Sequence, residues 1–402
     1  MTAQEQKFFA SFFQKRRPSF HLLVFSSLII AGGFGWFLFA ILLRDTAGQD
    51  WMVFDTAARA YWRGDTALLL DGVKLTAVLN ATHPSLNQPL VFHPWVYPPF
   101  TLLLALPFGL MPWWLSYGGF QAFSFGAMAA ALRPWAAGRG HYWRLLAGVT
   151  LCPATAYTLG AGQNSFFTAA LVLGGIWLLD RRPVTAGVLL GLLAFKPQFA
   201  LLVPVALLAA GAWRAIFAAT ATVTMLLLIS LAVPGIAIWR GWLLLYLSGD
   251  LAPRQWVELY GQSVFTCLRL AGASNAFANV GQVIALLVAA VAVWRAFARP
   301  MAKLRRLLIL LCAMTLGAPH LGDYDAVLLG IAAMFVLVPP AGAATATATV
   351  LAVLAWCSTA INPPLLFQKT IPLLFPVAEI TPLIMLAFLV RLSVRKEESL
   401  LF

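Results

Sequence analysis

Residues Gly162–Arg214 read GQNSFFTAALVLGGIWLLDRRPVTAGVLLGLLAFKPQFALLVPVALLAAGAWR, and this stretch decides the fold. Three apolar runs, Ser165–Leu179, Val184–Phe195 and Gln198–Ala210, are separated by the polar breaks Asp180-Arg181-Arg182 and Lys196-Pro197. Apolar runs of this density are membrane helices. The second and third are shorter than the roughly 20 residues a crossing needs, so they read as tilted half-helices meeting at Lys196-Pro197.

The same pattern extends outward in both directions. With 61% hydrophobic and 10% charged residues and a mean hydropathy of +0.85, the chain has too few polar groups to cover a soluble globule. It is expected to be an all-α polytopic membrane protein of about 12 transmembrane or half-membrane helices. Beyond the three runs above, the expected spans are Phe20–Leu43, Trp113–Leu132, Trp143–Leu159, Ala215–Ile236, Ala278–Phe297, Leu304–Ala318, Ala326–Val338, Ala343–Ile361 and Pro372–Val390. No polar block is large enough for a separate soluble domain, so residues 1–402 read as one integral membrane domain with long loops at 44–112 and 237–277. Basic residues precede Phe20–Leu43 as in a signal peptide, but the run is long enough to span and has no convincing cleavage site, so it reads as a retained first helix.

A net charge of +13 raises the possibility of nucleic-acid binding, yet Lys and Arg concentrate in the short loops between alternate spans. With both termini in the cytoplasm, eighteen of the 27 basic residues fall inside against four acids. This is the positive-inside pattern, and it excludes nucleic acid as the partner. Both long loops then lie outside, with the turns at Gly160–Asn164, Lys196-Pro197, Pro319–Asp325 and Asn362–Pro364. The expected location is the inner (plasma) membrane, multi-pass, with the polar groups converging on the periplasmic, extracytoplasmic side. Within the long loops, Trp51–Trp62 and Trp239–Leu247 mix aromatic and polar residues as interfacial helices do. Cys152, Cys267, Cys312 and Cys357 have no metal-ligand spacing and read as small hydrophobes.

Among the outer polar residues, Asp50 follows the first span and is placed either to act as a general base or to cap the helix that starts at Trp51. Asp55 pairs more naturally with Arg59 at i+4. Tyr97-Pro98-Pro99 opens a short apolar segment ending at Pro112. Gly162-Gln163-Asn164 is a tight turn whose amides are free for hydrogen bonding. Lys196, a cation between apolar stretches, calls for water or an anion such as a lipid phosphate, with snorkelling to headgroups as the alternative. His320 in APHLGDYDAV can exchange protons near neutral pH, with Asp323 and Asp325 as candidate orienting or capping groups. One His and two Asp form a weak metal signal. Of the arginines in the second loop, Arg254 is the candidate phosphate ligand.

Taken together, these motifs resemble the signature of glycosyltransferase family 87, polyprenol-phosphate-mannose-dependent mannosyltransferases with the GT-C membrane fold. The likeness rests on the GQN turn and the KP pair at their spacing in Gly162–Arg214, on Asp50 in DWMVF, on Tyr97–Pro99, and on His320–Asp325. It implies an inverting transfer of a hexose, typically mannose, from a polyprenyl-phosphate-linked donor to a glycolipid or glycan acceptor outside the cytoplasm. Asp50 matches the usual catalytic aspartate, and His320 matches a histidine that serves as an alternative base in part of the family. Lys196, Gln163, Asn164, Tyr97, Arg254 and Asp325 become candidate substrate-binding residues. Position 54 is Phe where Tyr is common. Polyprenyl phosphate is a good leaving group, so this logic calls for no metal and no other cofactor. A secondary transporter or lipid flippase is the competing class, opposed by the one-sided loops and the absence of inverted halves.

Overall fold

The computed structural model describes residues 26–394 except 27, 38–39, 41–46, 84–88, 91, 252–260, 340–343 and 362–380. Every regular element among the described residues is helical. The basic N-terminal stretch, Arg254 and the whole run 362–380, with the expected turn Asn362–Pro364 and the start of the expected last span, lie outside them, and of the expected first span only Leu28–Phe37 is a described helix.

Several expected spans appear almost unchanged, as Trp113–Leu132, Ser165–Leu178, Asn275–Ala298, Lys303–Gly317 and Val327–Leu337. Prolines account for the main differences. Trp143–Leu159 is two helices, Arg139–Leu151 and Pro153–Ala161, because Pro153 forces Cys152 out of helical geometry, to φ −58° and ψ 132°. Pro234 instead lies in a five-residue π turn, Leu231–Gly235, and the helix runs on. Trp213–Ser248 is therefore one apolar helical stretch of 36 residues, and the second long loop begins about a dozen residues later than expected. This stretch and Asn275–Ala298 are the two helices among the described residues long and apolar enough to cross a membrane.

The half-helices at Lys196-Pro197 are present. Pro183–Leu192 closes with a 3-10 turn, Leu193–Phe195, and Pro197–Ala200 leads into Leu202–Ala209. Gly187 and Gly191 set the first half-helix against the backbone of Trp213–Ser230; a Cβ on Gly191 would lie 2.7 Å from Ala219 O. Small residues that let two backbones approach this closely are the usual device for packing helices where no hydrophobic effect drives them together.

Among the described residues two apolar clusters form the interior. The larger is centred on the Lys303–Gly317 and Val327–Leu337 helices, most of whose residues are buried. The smaller surrounds the Gln49–Trp62 helix. That helix is mostly buried within the protein, not laid on its surface as its aromatic–polar mixture suggested. Trp51, Phe54 and Ala57 are buried, Trp51 stacks on Phe120 at 3.9 Å, and its indole donates to Ser116 Oγ at 2.9 Å. Its charged pair is satisfied internally: Arg59 forks onto Asp55 at 2.6 and 3.1 Å and donates to Met111 O, while His83 Nε2 stands 3.6 Å from Asp55. The expected Asp55–Arg59 pair is there, with its carboxylate buried.

The Ser165–Leu178 helix gives the molecule two unlike ends. Fourteen residues at a rise of ~1.5 Å separate them by roughly 20 Å. Beyond its C-terminus Asp180 pairs with Lys303 at 2.9 Å, and Arg181 lies over Trp177. Its N-terminus opens into a polar cluster.

Candidate active site

The cluster depends on a close approach of two turns. Gly48 (φ 71°) precedes the Gln49–Trp62 helix, and Gly162 (φ 77°) ends Pro153–Ala161. Gly48 N donates to Gly160 O at 2.8 Å, and a Cβ on Gly162 would stand 2.8 Å from Trp51 Cβ and 3.0 Å from Gly48 Cα. Both positions need a left-handed backbone, and Gly162 also needs the missing side chain.

This contact brings Asp50 to the GQN turn. Gln163 Nε2 donates to Asp50 Oδ2 at 2.8 Å. Capping, the other reading of Asp50, is overturned: Gly48 occupies the N-cap and Asp50 sits in the first turn with its carboxylate on Gln163. Tyr97 OH donates to Gln163 Oε1 and accepts from Asn164 Nδ2, both at 3.3 Å. Gln121 Nε2 holds the Gln163 carbonyl at 3.1 Å. Thus the amides of the turn serve the site as well as the turn itself.

Lys196 lies next to this network. It is 1% exposed, so the snorkelling alternative is overturned. Its Nζ donates to Asp325 Oδ1 at 2.5 Å and lies over the rings of Tyr324 and Phe199 at 5.1 and 5.4 Å. Ser165 Oγ donates to the same carboxylate oxygen at 2.5 Å. Asp325 is thereby occupied within the protein, and its first role is to hold the ammonium. An ammonium has three protons to donate, so Lys196 keeps capacity for a further anion.

His320 lies in the same turn as Asp325 and within electrostatic reach of Asp325 and Lys196. Asp323 does not cap: Gly322 holds that position, and Asp323 accepts from Gln262 Nε2 at 2.8 Å. Gln262 N donates to Leu321 O at 2.8 Å, so one residue of the second long loop clasps the turn on both sides of Gly322.

Burial sets the protonation of these groups. It raises Asp50 to about 6 against the pull of Gln163 and Lys196, and raises Asp323 to about 7 against Gln262. It lowers His320, with Asp325 opposing and Lys196 assisting. Tyr97 and Tyr324 are raised, so both phenols stay protonated.

Asp50, Tyr97, Gln163, Asn164, Lys196, Asp325 and His320 therefore gather as expected, and Arg254 lies outside the described residues. The sequence reading passed over His93, whose Nε2 is 3.9 Å from Asp50 Oδ1, and also Ser165, Tyr324 and Gln262. A titratable ring in the same loop as Asp50, four residues before Tyr97, was the signal available for His93.

The sequence profile of glycosyltransferase family 87 matches residues 95–319, more than half of the chain. The chain belongs to glycosyltransferase family 87. No curated protein and no solved structure matches it. Membership decides for a transferase over a transporter, and the helical architecture with its two long apolar stretches fits a membrane glycosyltransferase. The matched span includes Tyr97, Gln163, Asn164 and Lys196. Asp50 and Asp325 fall outside it, and each is tied by a hydrogen bond to a residue within it.

Proposed function

We propose that this family 87 glycosyltransferase moves a hexose, mannose in the first instance, from a polyprenyl-phosphate donor to a hydroxyl of a glycolipid or glycan acceptor, with inversion. A half-buried carboxylate raised to about 6, within electrostatic reach of a buried ammonium, is the observation that carries this reading. Asp50 takes the proton of the attacking hydroxyl, and Lys196 stabilises charge building on the departing phosphate. The amides of Gln163 and Asn164 and the phenol of Tyr97 offer paired donors and acceptors for sugar hydroxyls. The chain is one membrane unit of about 12 spans with both termini cytoplasmic, and the cation-rich end at Asp180–Arg182 faces the cytoplasm. The site then opens on the extracytoplasmic side, where lipid-linked sugars are delivered.

Asp50→Ala is expected to cut transfer from a radiolabelled polyprenyl-phosphate mannose by ~10²–10⁴-fold, the usual contribution of a positioned base, while membrane insertion is kept. Near-normal turnover in that variant would pass the base role to His320. Lys196→Ala is expected to weaken donor binding by roughly 10- to 100-fold. An unchanged donor affinity would remove Lys196 from the phosphate site.

A further inference from the structure

His93 and Tyr97 leave the same extended segment and grip the Asp50–Gln163 pair from two sides. Tyr97 bonds to the glutamine, and His93 faces the aspartate. Because Gln163 occupies Oδ2, Oδ1 is the Asp50 oxygen turned toward His93. The gap of 3.9 Å from Nε2 to Oδ1 is too long for a hydrogen bond, but an oxygen atom can sit within ~2.8 Å of both. Neither side chain is sealed off: Asp50 is 20% and His93 10% exposed.

We propose that His93 seats the acceptor hydroxyl against Asp50. The hydroxyl donates its hydrogen to Asp50 Oδ1 and accepts one from His93 Nε2–H, which leaves a lone pair directed at the sugar. The hydroxyl oxygen then bonds to the anomeric carbon as the bond from that carbon to the phosphate oxygen breaks. The electron pair leaves with the phosphate, and the proton ends on Asp50. His93 keeps its own proton throughout and supplies orientation, which converts a bimolecular encounter into a positioned one.

The surroundings hold the ring for this task. His93 N donates to Thr76 Oγ1 at 2.8 Å, and Thr76 donates onward to Gly72 O at 2.6 Å, so the buried threonine fixes the backbone at His93 from the Gly72–Thr82 helix. Two residues on, Trp95 packs edge-on to Phe54 at 5.4 Å and anchors the segment along the Gln49–Trp62 helix. Burial also lowers the imidazole to about 4, so near pH 7 it is neutral. A cationic ring would lock Asp50 in an ion pair, whereas a neutral one leaves the carboxylate free for the acceptor.

This inference rests on Asp50 being the base, and the test separates the two. The full chain in nanodiscs is assayed with polyprenyl-phosphate mannose and octyl α-mannoside as acceptor, alongside release of free mannose by transfer to water. His93→Phe keeps the ring volume and removes both nitrogens. It is expected to lower kcat/KM for the acceptor roughly 10- to 100-fold with donor affinity unchanged. His93→Gln, whose amide can replace the Nε2 donor, is expected to recover most of that loss. Wild-type acceptor kinetics in His93→Phe, with Asp50→Ala inactive, would overturn this proposal and leave the base intact. Equal losses in Phe and Gln variants that track a lowered melting temperature would make His93 a packing residue and also overturn it. An active Asp50→Ala enzyme would remove both readings together.

Discussion

Gly162 sets the distance on which Asp50 depends, so the smallest change in the site has a large expected effect. Gly162→Ala adds a Cβ against Trp51 at φ 77° and should cost about 1–3 kcal/mol of local strain. Turnover is expected to fall more than the melting temperature does, because Gln163 moves away from the carboxylate. A variant with full turnover would show that this glycine shapes only the turn. The pH profile tests the base at the same scale. A base works deprotonated, so kcat/KM should fall as pH drops through about 6, where burial has raised Asp50. His320→Ala should keep that limb, and its disappearance there would identify His320 as the titrating group. Asp50, Gln163, Lys196 and Asp325 were legible because each is a polar exception beside an apolar run. His93 was not, because a histidine in a polar loop reads as solvated until the fold turns it toward Asp50.

Among the elements, the Gln49–Trp62 helix shows where a sequence pattern is ambiguous. A mixture of aromatic and polar residues describes an interfacial helix, and equally a buried one whose polar groups pair internally. Asp55, Arg59 and His83 make it the second kind. Arg59→Ala would strip a buried carboxylate of its main partner and should cost about 3–5 kcal/mol, read as a lower unfolding temperature. A shift under a degree would mean that His83 alone suffices. Burial pushes Asp55 up, but His83 and Arg59 outweigh it and hold the carboxyl below its ordinary range. The stability it contributes is therefore present above the unfolded pKa of ~3.9 and is lost only as pH falls below it, well under the range where Asp50 titrates. Prolines give a second contrast. Pro153 ends a helix, and Pro234 is absorbed by a π turn. The local difference is Gly235, which takes φ 94° directly after Pro234 and lets the chain turn back into helix.

At the scale of the whole molecule, two unlike ends make orientation a direct measurement. The four native cysteines are buried, so an introduced one should react against little background. Asp65→Cys, on an exposed turn of the first loop, should be labelled by a membrane-impermeant maleimide in intact cells, and Arg181→Cys only after permeabilisation. The reverse pattern would invert the proposed topology. The separation of a cationic end from a polar end was readable because charge placement is an average over many residues. The count of crossings was not, because among the described residues only two helices are both long and apolar enough alone, and the shorter apolar ones run 10–17 residues. A half-helix is recognised by the partner that completes its crossing, and that partner is chosen by tertiary packing.

The Lys196–Asp325 pair has a consequence for what happens after transfer. With the pair neutral as a unit, Asp50 is the negative charge beside it that the transfer step changes. On the proposed reaction the donor phosphodiester is a monoanion and the lipid phosphate left behind a dianion. The proton captured by Asp50 balances that change, so the transfer step leaves the total unchanged. The repulsion grows only when Asp50 gives up its proton. Deprotonation of the base would then both reset the enzyme and expel the spent lipid carrier, coupling product release to the pH of the compartment the site faces.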